Sequence, residues 1–281
     1  MPPSGECGEP TAPQLCRLNL LLCLLPRTNY VTNVSKCVLL SAVIAAVVSG
    51  LANSAGAYTL IGSKWAQPAG LGTPITLTYS YQNMFDGGLL MPNGQPLPKL
   101  LIRNSIEEAL GLWAGVVPLH FVEVEDDGLA YGASTKYGQI RFRHKYINGP
   151  DPAPPAAPVA KAQAYYPSTS ILGGDVEYDH GDRWQEIGTL SQPDILGATV
   201  HELGHSIGLG HATSDAANMY WIFNRFSGLG TAFLDQDDIN GIRAVYGAGV
   251  GSVTPLAPEP TALGMLVTAI FAFGGIRRRS A

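Results

Sequence analysis

Three histidines and a glutamate stand close together in residues 201–211, in a pattern that suits the binding of one metal ion. His201 and His205 are four residues apart, so on a helix their imidazoles lie on the same face. Gly208 lets the chain leave that helix in a left-handed conformation and return to bring in His211. Three neutral imidazoles leave one position open on a tetrahedral zinc ion, which is the arrangement of a catalytic zinc site.

Glu202 follows His201 directly and can reach a water molecule on such an ion, so we predict that it is the catalytic base. The alternative is an ordinary amphipathic helix in which the histidines occur by chance. The full spacing H-E-x-x-H-x-x-G-x-x-H argues against that alternative much more strongly than H-E-x-x-H alone would.

A methionine, Met219, stands eight residues after His211. With it, the sequence resembles the metzincin zinc peptidases and, within them, the matrixins. Trp221 occupies the position at which other metzincin branches often carry a tyrosine ligand, so the matrixin branch fits better. The resemblance implies one catalytic zinc, peptide hydrolysis, and a role for Met219 as an apolar floor beneath the metal.

The resemblance extends over most of residues 58–247, which we predict to be the catalytic domain. It implies an α+β, zincin-like fold with a twisted mixed sheet of about five strands and three helices. Zinc is expected in the cleft between a larger N-terminal and a small C-terminal subdomain. The segments that carry the likeness, besides the zinc motif, are 64–65, 77–79, 106–121, 172–179, 184 and 235–247.

Periodicity in the sequence gives an independent prediction of the elements. Apolar and polar residues alternate over 73–82, which is typical of a half-buried strand. An apolar stripe with helical spacing runs through 100–114, which predicts an amphipathic helix. Shorter strands are expected at 120–124, 139–142, 162–166 and 175–178.

The resemblance also bears on further metal ions. Matrixins carry a second, structural zinc, and two of its positions correspond to Gln163 and Glu177, so we expect that site to be absent because glutamine ligates zinc poorly. Asp175, Asp179 and Asp182 match carboxylates that bind calcium in the family, and oxygen ligands suit calcium. The alternative for these three is a solvated acidic turn.

A protein or peptide substrate is expected to bind in an extended form. By resemblance, it would pair with the edge strand 162–166, and Ala162, Ala164 and Tyr166 are the predicted substrate contacts.

The N-terminal region reads as an export signal. Residues 1–33 form an ill-defined extension, and 34–57 resemble a secretory signal peptide with an apolar run too short to span a bilayer. A membrane anchor is the alternative. All four cysteines precede residue 58, so the mature domain contains none. The net charge of −5, without a basic stripe in the middle of the chain, argues against nucleic-acid binding.

The C-terminal region carries a separate signal. Residues 248–257 read as a flexible linker, and in 258–281 a Pro-Glu-Pro tripeptide precedes an uncharged apolar run and three arginines. This resembles the PEP-CTERM sorting signal of Gram-negative bacteria, which implies Sec export, transient membrane contact and processing by an exosortase. A plain C-terminal anchor is the alternative.

Together these features predict a secreted or surface-sorted zinc metalloendopeptidase that acts as a monomer. The alternative is a non-catalytic, metal-binding surface or biofilm-matrix protein on a metzincin scaffold.

Overall fold

The helices and strands lie close to the segments that the sequence predicts. The computed structural model describes residues 57–149, 161–188, 193–222 and 226–256. Three α-helices are found in these ranges: α1 (Lys99–Ala114), α2 (Ile195–Ser206) and α3 (Gln236–Tyr246). The strands are β1 (Thr59–Leu60), β2 (Ile75–Tyr81), β3 (Leu119–Glu123), β4 (Ile140–Lys145), β5 (Ala162–Ala164), β6 (Val176–Asp179), β7 (Leu209–Gly210) and β8 (Ser252–Thr254). The predicted α+β class is confirmed.

One mixed sheet carries the architecture, with its strands in the order β5-β6-β4-β2-β3-β8. All neighbours in this sheet pair in parallel except β5, which pairs with β6 in the antiparallel sense and lies at the edge. A second, two-stranded sheet pairs β1 with β7. The mixed sheet that the resemblance implies is therefore present, with β8 as an additional strand.

The helix α1 connects the sheet to the metal-binding helix. Its apolar stripe, including Ile106 and Leu110, is fully buried, and burial of each such side chain contributes about 1.5–3 kcal/mol. Trp113 at the end of the stripe is also buried, and its Nε1 donates a hydrogen bond of 3.1 Å to the carbonyl of Val200 on α2. This bond ties α1 to the turn of α2 that precedes the zinc motif.

The segment 248–257, predicted to be a flexible linker, contains the ordered strand β8. This strand pairs in parallel with β3, with His120 opposite Ser252, and the amide of Gly251 donates to the carbonyl of Ala114 at 2.7 Å. A Cβ at Gly251 would lie 1.8 Å from the carbonyl oxygen of Leu119, so only glycine allows this close approach. A three-residue strand beside glycines carries too little periodicity to be distinguished from a linker.

The predicted extension 1–33, nearly all of the signal segment 34–57 and the sorting segment 258–281 lie outside the described residues. Within the ranges that the structure does describe, no helix is both long and apolar enough to cross a membrane.

The end of α2 has the glycine exit that the sequence predicts. Gly208 adopts φ 114°, and residues Leu209–Gly210 then form β7 against β1. A Cβ at Gly208 would lie 2.7 Å from the carbonyl oxygen of Ser63. Both the backbone conformation and the available space therefore require glycine at the turn that delivers His211.

We expect Gly208→Ala to lower the free energy of unfolding by about 2–4 kcal/mol, because it adds a steric overlap to an unfavourable φ. Gly62→Ala is the matched control, since Gly62 also has a positive φ of 81° but no atom within 4 Å of an added Cβ. Urea unfolding of both variants measures the difference. Equal losses of stability would contradict the role given to the Ser63 contact.

Candidate metal centre

The three histidines of the motif converge on one point. His201 and His205 lie on α2, and His211 follows β7. One ligand atom from each lies within 4.8 Å of the others, and this is the only such group of three or more His, Cys, Asp or Glu side chains in the part of the chain that the structure describes. The ring centroids are 4.7–5.2 Å apart. The arrangement is compatible with a single shared ion.

Two backbone carbonyls fix the orientation of the helical imidazoles. The Nδ1–H of His201 donates to the carbonyl of Asn218 at 2.6 Å, and the Nδ1–H of His205 donates to the carbonyl of Leu209 at 2.7 Å. Each ring is then the tautomer with its lone pair on Nε2. Such carbonyl partners hold a metal-ligating histidine in place and raise its basicity as a ligand.

Desolvation keeps these imidazoles neutral, as metal binding requires; His201 and His205 are buried, whereas His211 is exposed and only partly desolvated. Desolvation, together with the neighbouring histidines, lowers the pKa of His201 to about 3. Desolvation likewise lowers the pKa of His205 to about 4 and shifts the pKa of His211 downward. The ligands are therefore available without deprotonation at neutral pH.

Glu202 lies beside the triad and is only 6% exposed. Burial raises the pKa of its carboxyl to about 8, because the charged form is desolvated. A nearby divalent cation would favour the carboxylate and lower that pKa again. A carboxyl group that can gain or lose a proton near neutral pH is suited to general acid–base chemistry.

Met219 packs beneath α2, where the sequence places the apolar floor. It is 1% exposed, and a Cβ at Gly204 would lie 2.2 Å from its Sδ atom. The glycine within the zinc motif thus leaves room for the methionine sulfur. Met219 lies in a turn over residues 217–220, here called the methionine turn, in which the amide of Tyr220 donates to the carbonyl of Ala217. The amide of Ala212, directly after His211, donates to the Met219 carbonyl at 2.8 Å, so the methionine turn and the third histidine are held together.

A buried aspartate on α3 holds the methionine turn. Asp238 is fully buried and accepts hydrogen bonds from the amides of Asn218 (2.8 Å) and Met219 (3.0 Å) and from the Asn218 side chain (3.0 Å). It also accepts from the amide of Asp235, in a capping box at the start of α3. Because Asn218 supplies the carbonyl that orients His201, Asp238 positions a metal ligand through the backbone.

Comparison with known proteins gives the family. The model of the Matrixin family matches residues 89–247, which is more than half of the chain and includes the triad, Glu202 and Met219. The chain belongs to the matrixin family. This confirms the resemblance that the zinc motif and the order of the elements suggested.

Curated matrixins are similar to the same part of the chain. Interstitial collagenase of Oryctolagus cuniculus is 34% identical over 163 residues, which cover 56% of this chain and 31% of the collagenase. Stromelysin-1 of Mus musculus is 33% identical over 159 residues, covering 56% of this chain and 30% of the stromelysin. Matrilysin of Homo sapiens is 36% identical over 156 residues, covering 54% of this chain and 52% of matrilysin. The chain thus spans about a third to a half of the length of these relatives.

The positions that correspond to the structural zinc of matrixins hold an ion-pair cluster. Gln163 Nε2 donates to Glu177 Oε2 at 2.5 Å, and the Glu177 carboxylate also pairs with Arg143 and, at 2.7 Å, with Lys145. A carboxylate engaged by two cations and an amide does not suit a zinc ion. The residues here do not fit that second zinc.

The three aspartates predicted to bind calcium do not meet as a set. Asp175 accepts from the Tyr131 hydroxyl and the Arg141 amide, and burial raises its pKa to about 7. Asp179 accepts from three backbone amides, and Asp182 lies 3.7 Å from the ammonium of Lys161. No common cluster of these carboxylates exists among the described residues. Calcium binding stays a prediction, and it would depend largely on other oxygen ligands.

The predicted substrate contacts lie at the sheet edge beside the triad. Lys161 and Tyr165 use their backbone groups to pair with β6, so the alternate residues Ala162, Ala164 and Tyr166 direct theirs away from it. The Tyr166 ring lies beyond the end of β5. Its centroid is 5.6 Å from the centroid of the His205 ring, and the two rings are nearly perpendicular.

Asp238 and Asn218 are site residues that sequence reasoning missed. The Asp235–Asp238 spacing at the start of a helix is a capping signal that predicts the helix start. It carries no information that the same carboxylate reaches the methionine turn 19–20 residues away along the chain.

We expect Asp238→Asn to destabilise the protein by about 2–4 kcal/mol. The carboxylate of Asp238 accepts hydrogen bonds from several N–H groups, whereas the side-chain NH₂ of asparagine is itself a donor and cannot accept them. Weaker zinc retention should accompany the loss, through the carbonyl of Asn218. Thermal unfolding and zinc retention in the presence of a competing chelator measure the two effects. The control is Asp215→Asn at an exposed site in the same region. A variant that matches the parent in both measurements would contradict the role of Asp238.

The raised pKa of Glu202 predicts a pH-dependent effect in the metal-free protein. Between its ordinary value of 4.5 and about 8, the folded state binds more protons at this carboxyl than the unfolded state does. Its contribution to stability is therefore complete below 4.5 and is lost as the pH rises through 8. Glu202→Gln should be more stable than the parent at pH 8, by on the order of 2 kcal/mol, and equal to it near pH 4.5.

Urea unfolding of both proteins in excess chelator, at several pH values, checks this expectation. The contributions of the histidines are common to parent and variant, so they cancel in the difference. A difference that does not change with pH would show that Glu202 is not desolvated.

Proposed function

We propose that the chain is a zinc-dependent endopeptidase that hydrolyses peptide bonds in proteins. The observation that carries the proposal is the buried Glu202 beside three converging, neutral imidazoles in a matrixin domain. A structural zinc site would use a closed set of four ligands and would not need an adjacent carboxyl group.

In the proposed reaction, a zinc ion held by the triad would supply Lewis acidity for activating water and polarising the scissile carbonyl. Glu202 accepts a proton from the attacking water and then returns it to the leaving amine, so that it acts first as base and then as acid. His201, His205 and His211 would hold the ion, and the first two are oriented by backbone carbonyls. Met219 is not among the proposed ligands and supports α2 from below.

The substrate is proposed to add a strand to the open edge of β5. The outward backbone groups of Ala162, Ala164 and Tyr166 would pair with an extended peptide, which then lies beside His205. Main-chain hydrogen bonds of this kind accept many sequences. This supports a protein or peptide substrate without defining its side chains.

Export and sorting are proposed from the two ends of the chain. A Sec signal at 34–57 and an exosortase signal at 258–281 would take the protein to the surface of a Gram-negative bacterium, with transient membrane contact before processing. The relatives include interstitial collagenases, whose name places them outside cells, which is compatible with secretion. The domain itself is proposed to act as a monomer.

The second candidate is a non-catalytic metal-binding surface protein on the same scaffold. Retention of Glu202 disfavours it, because this carboxyl contributes nothing to metal binding in the proposed ligand set and its burial is unfavourable for the charged form. The two candidates differ in whether zinc confers peptidase activity.

We expect Glu202→Gln to keep one zinc per chain and to lose peptidase activity by about 10²–10⁴-fold in kcat/KM, because proton transfer contributes on that order. Cleavage of a fluorogenic peptide or casein, measured together with metal content, tests this. Glu125→Gln is the control, because Glu125 is exposed and pairs with Lys136 outside the site.

Chelation separates the two candidates. Activity that disappears with a chelator and returns with one equivalent of zinc supports the peptidase. A parent protein that binds zinc through the triad yet cleaves no peptide would favour the surface protein, whatever Glu202→Gln does.

A further inference from the structure

A second pair of histidines, His144 and His180, lies apart from the triad. His144 is on β4, and His180 directly follows β6, the neighbouring strand. Their Nδ1 atoms face each other at 3.3 Å, and the amide of His180 donates to the carbonyl of Lys145 at 2.9 Å. Neither residue belongs to the zinc motif or to the positions carried over from the matrixins.

His144 is held in one orientation by its surroundings. Its Nε2–H donates to Asp86 Oδ1 at 2.8 Å, and the same oxygen accepts from the amide of Gly88 at 2.7 Å. Asn83 pairs with both backbone groups of His144, at 2.9 and 3.0 Å. A Cβ at Gly88 would lie 2.2 Å from the imidazole Cε1, so the loop closes directly onto the ring.

This arrangement places a lone pair on the Nδ1 of His144. When Nε2 carries the proton that Asp86 accepts, Nδ1 of the neutral ring can only accept. The carboxylate, the imidazole and the lone pair on Nδ1 reproduce the carboxylate–histidine unit that orients metal-ligating histidines. The ring is 7% exposed, whereas His180 is half-buried and reaches solvent.

The separation of the two Nδ1 atoms matches two ligands of one metal ion. Nitrogen ligands at 2.0–2.1 Å in a tetrahedral site lie roughly 3.3–3.4 Å apart. The same atoms lie 3.3 Å apart here. In the absence of metal, this distance is that of a hydrogen bond between the two rings, in which His180 Nδ1–H donates to His144 Nδ1. Neutral His180 can carry its proton on Nε2 instead, so both Nδ1 atoms become available without a change of charge.

We propose that His144 and His180 form a second site for a divalent transition metal, such as Zn²⁺, Ni²⁺ or Cu²⁺. Two imidazoles bind the ion through Nδ1, and water completes its coordination. Imidazole nitrogen is a ligand that all three metals accept. Since only two protein ligands are present, this site binds more weakly than the triad and is emptied first by a chelator. The ion would link β4 to the turn after β6.

Equilibrium dialysis of the full chain against Zn²⁺, followed by metal analysis, tests the proposal. The parent should bind two equivalents, one of which is removed at a chelator concentration that leaves the triad loaded. His180→Asn should bind one equivalent. His120→Asn is the matched control: His120 is hydrogen-bonded to Ser252 at 2.8 Å on β3, and its replacement should leave both equivalents in place.

Asp86→Ala provides a test that keeps both ligands. It should weaken the second equivalent by about 10–100-fold without affecting the first, because it removes the group that fixes the tautomer of His144. Binding of one equivalent by the parent, retention of two by His180→Asn, or loss of the second in His120→Asn would each overturn the proposal. Unchanged loading of the triad in every variant shows that the fold is intact.

Discussion

The hydrogen bonds from His201 and His205 to backbone carbonyls are the constraint on which the metal centre depends. One carbonyl belongs to Leu209, just past the end of α2, and the other to Asn218 in the turn before Met219. Each bond therefore requires a separate piece of backbone to be held still. Gly208 sets the first piece through its conformation, and Asp238 sets the second through its carboxylate. The backbone around the site thus holds these two carbonyl groups in the positions from which they orient His201 and His205.

The periodic elements and the ligands were predictable because their signals are local. An amphipathic stripe predicts α1, alternation predicts β2, and four-residue spacing places His201 and His205 on one face. The glycine exit at Gly208 was also predictable, since its positive φ is a local requirement, whereas the close approach of the Ser63 carbonyl was not. The resemblance to matrixins added Met219, whose sequence context alone would not distinguish it from an ordinary core residue.

What could not be predicted are contacts that join distant parts of the chain. Asp238 meets the methionine turn because α3 packs there, and β8 exists because Gly251 can approach Leu119. The carboxylates that the resemblance assigns to calcium depend on such contacts too. Asp175 and Asp179 are engaged by different partners, so the sequence alone does not show which oxygen atoms would share an ion. Residue types near one another in sequence share a site only when the side chains face one point.

Burial has opposite effects on the two kinds of group in the site, and this has a consequence for metal binding. It keeps His201 and His205 neutral and favours the protonated form of Glu202, so the metal-free centre carries little charge in a low-dielectric region. The histidines have no proton to lose at neutral pH. The proton released when a divalent cation binds must therefore come from Glu202 or from water at the ion. The same desolvation that makes Glu202 a suitable base thus couples its ionisation to metal loading.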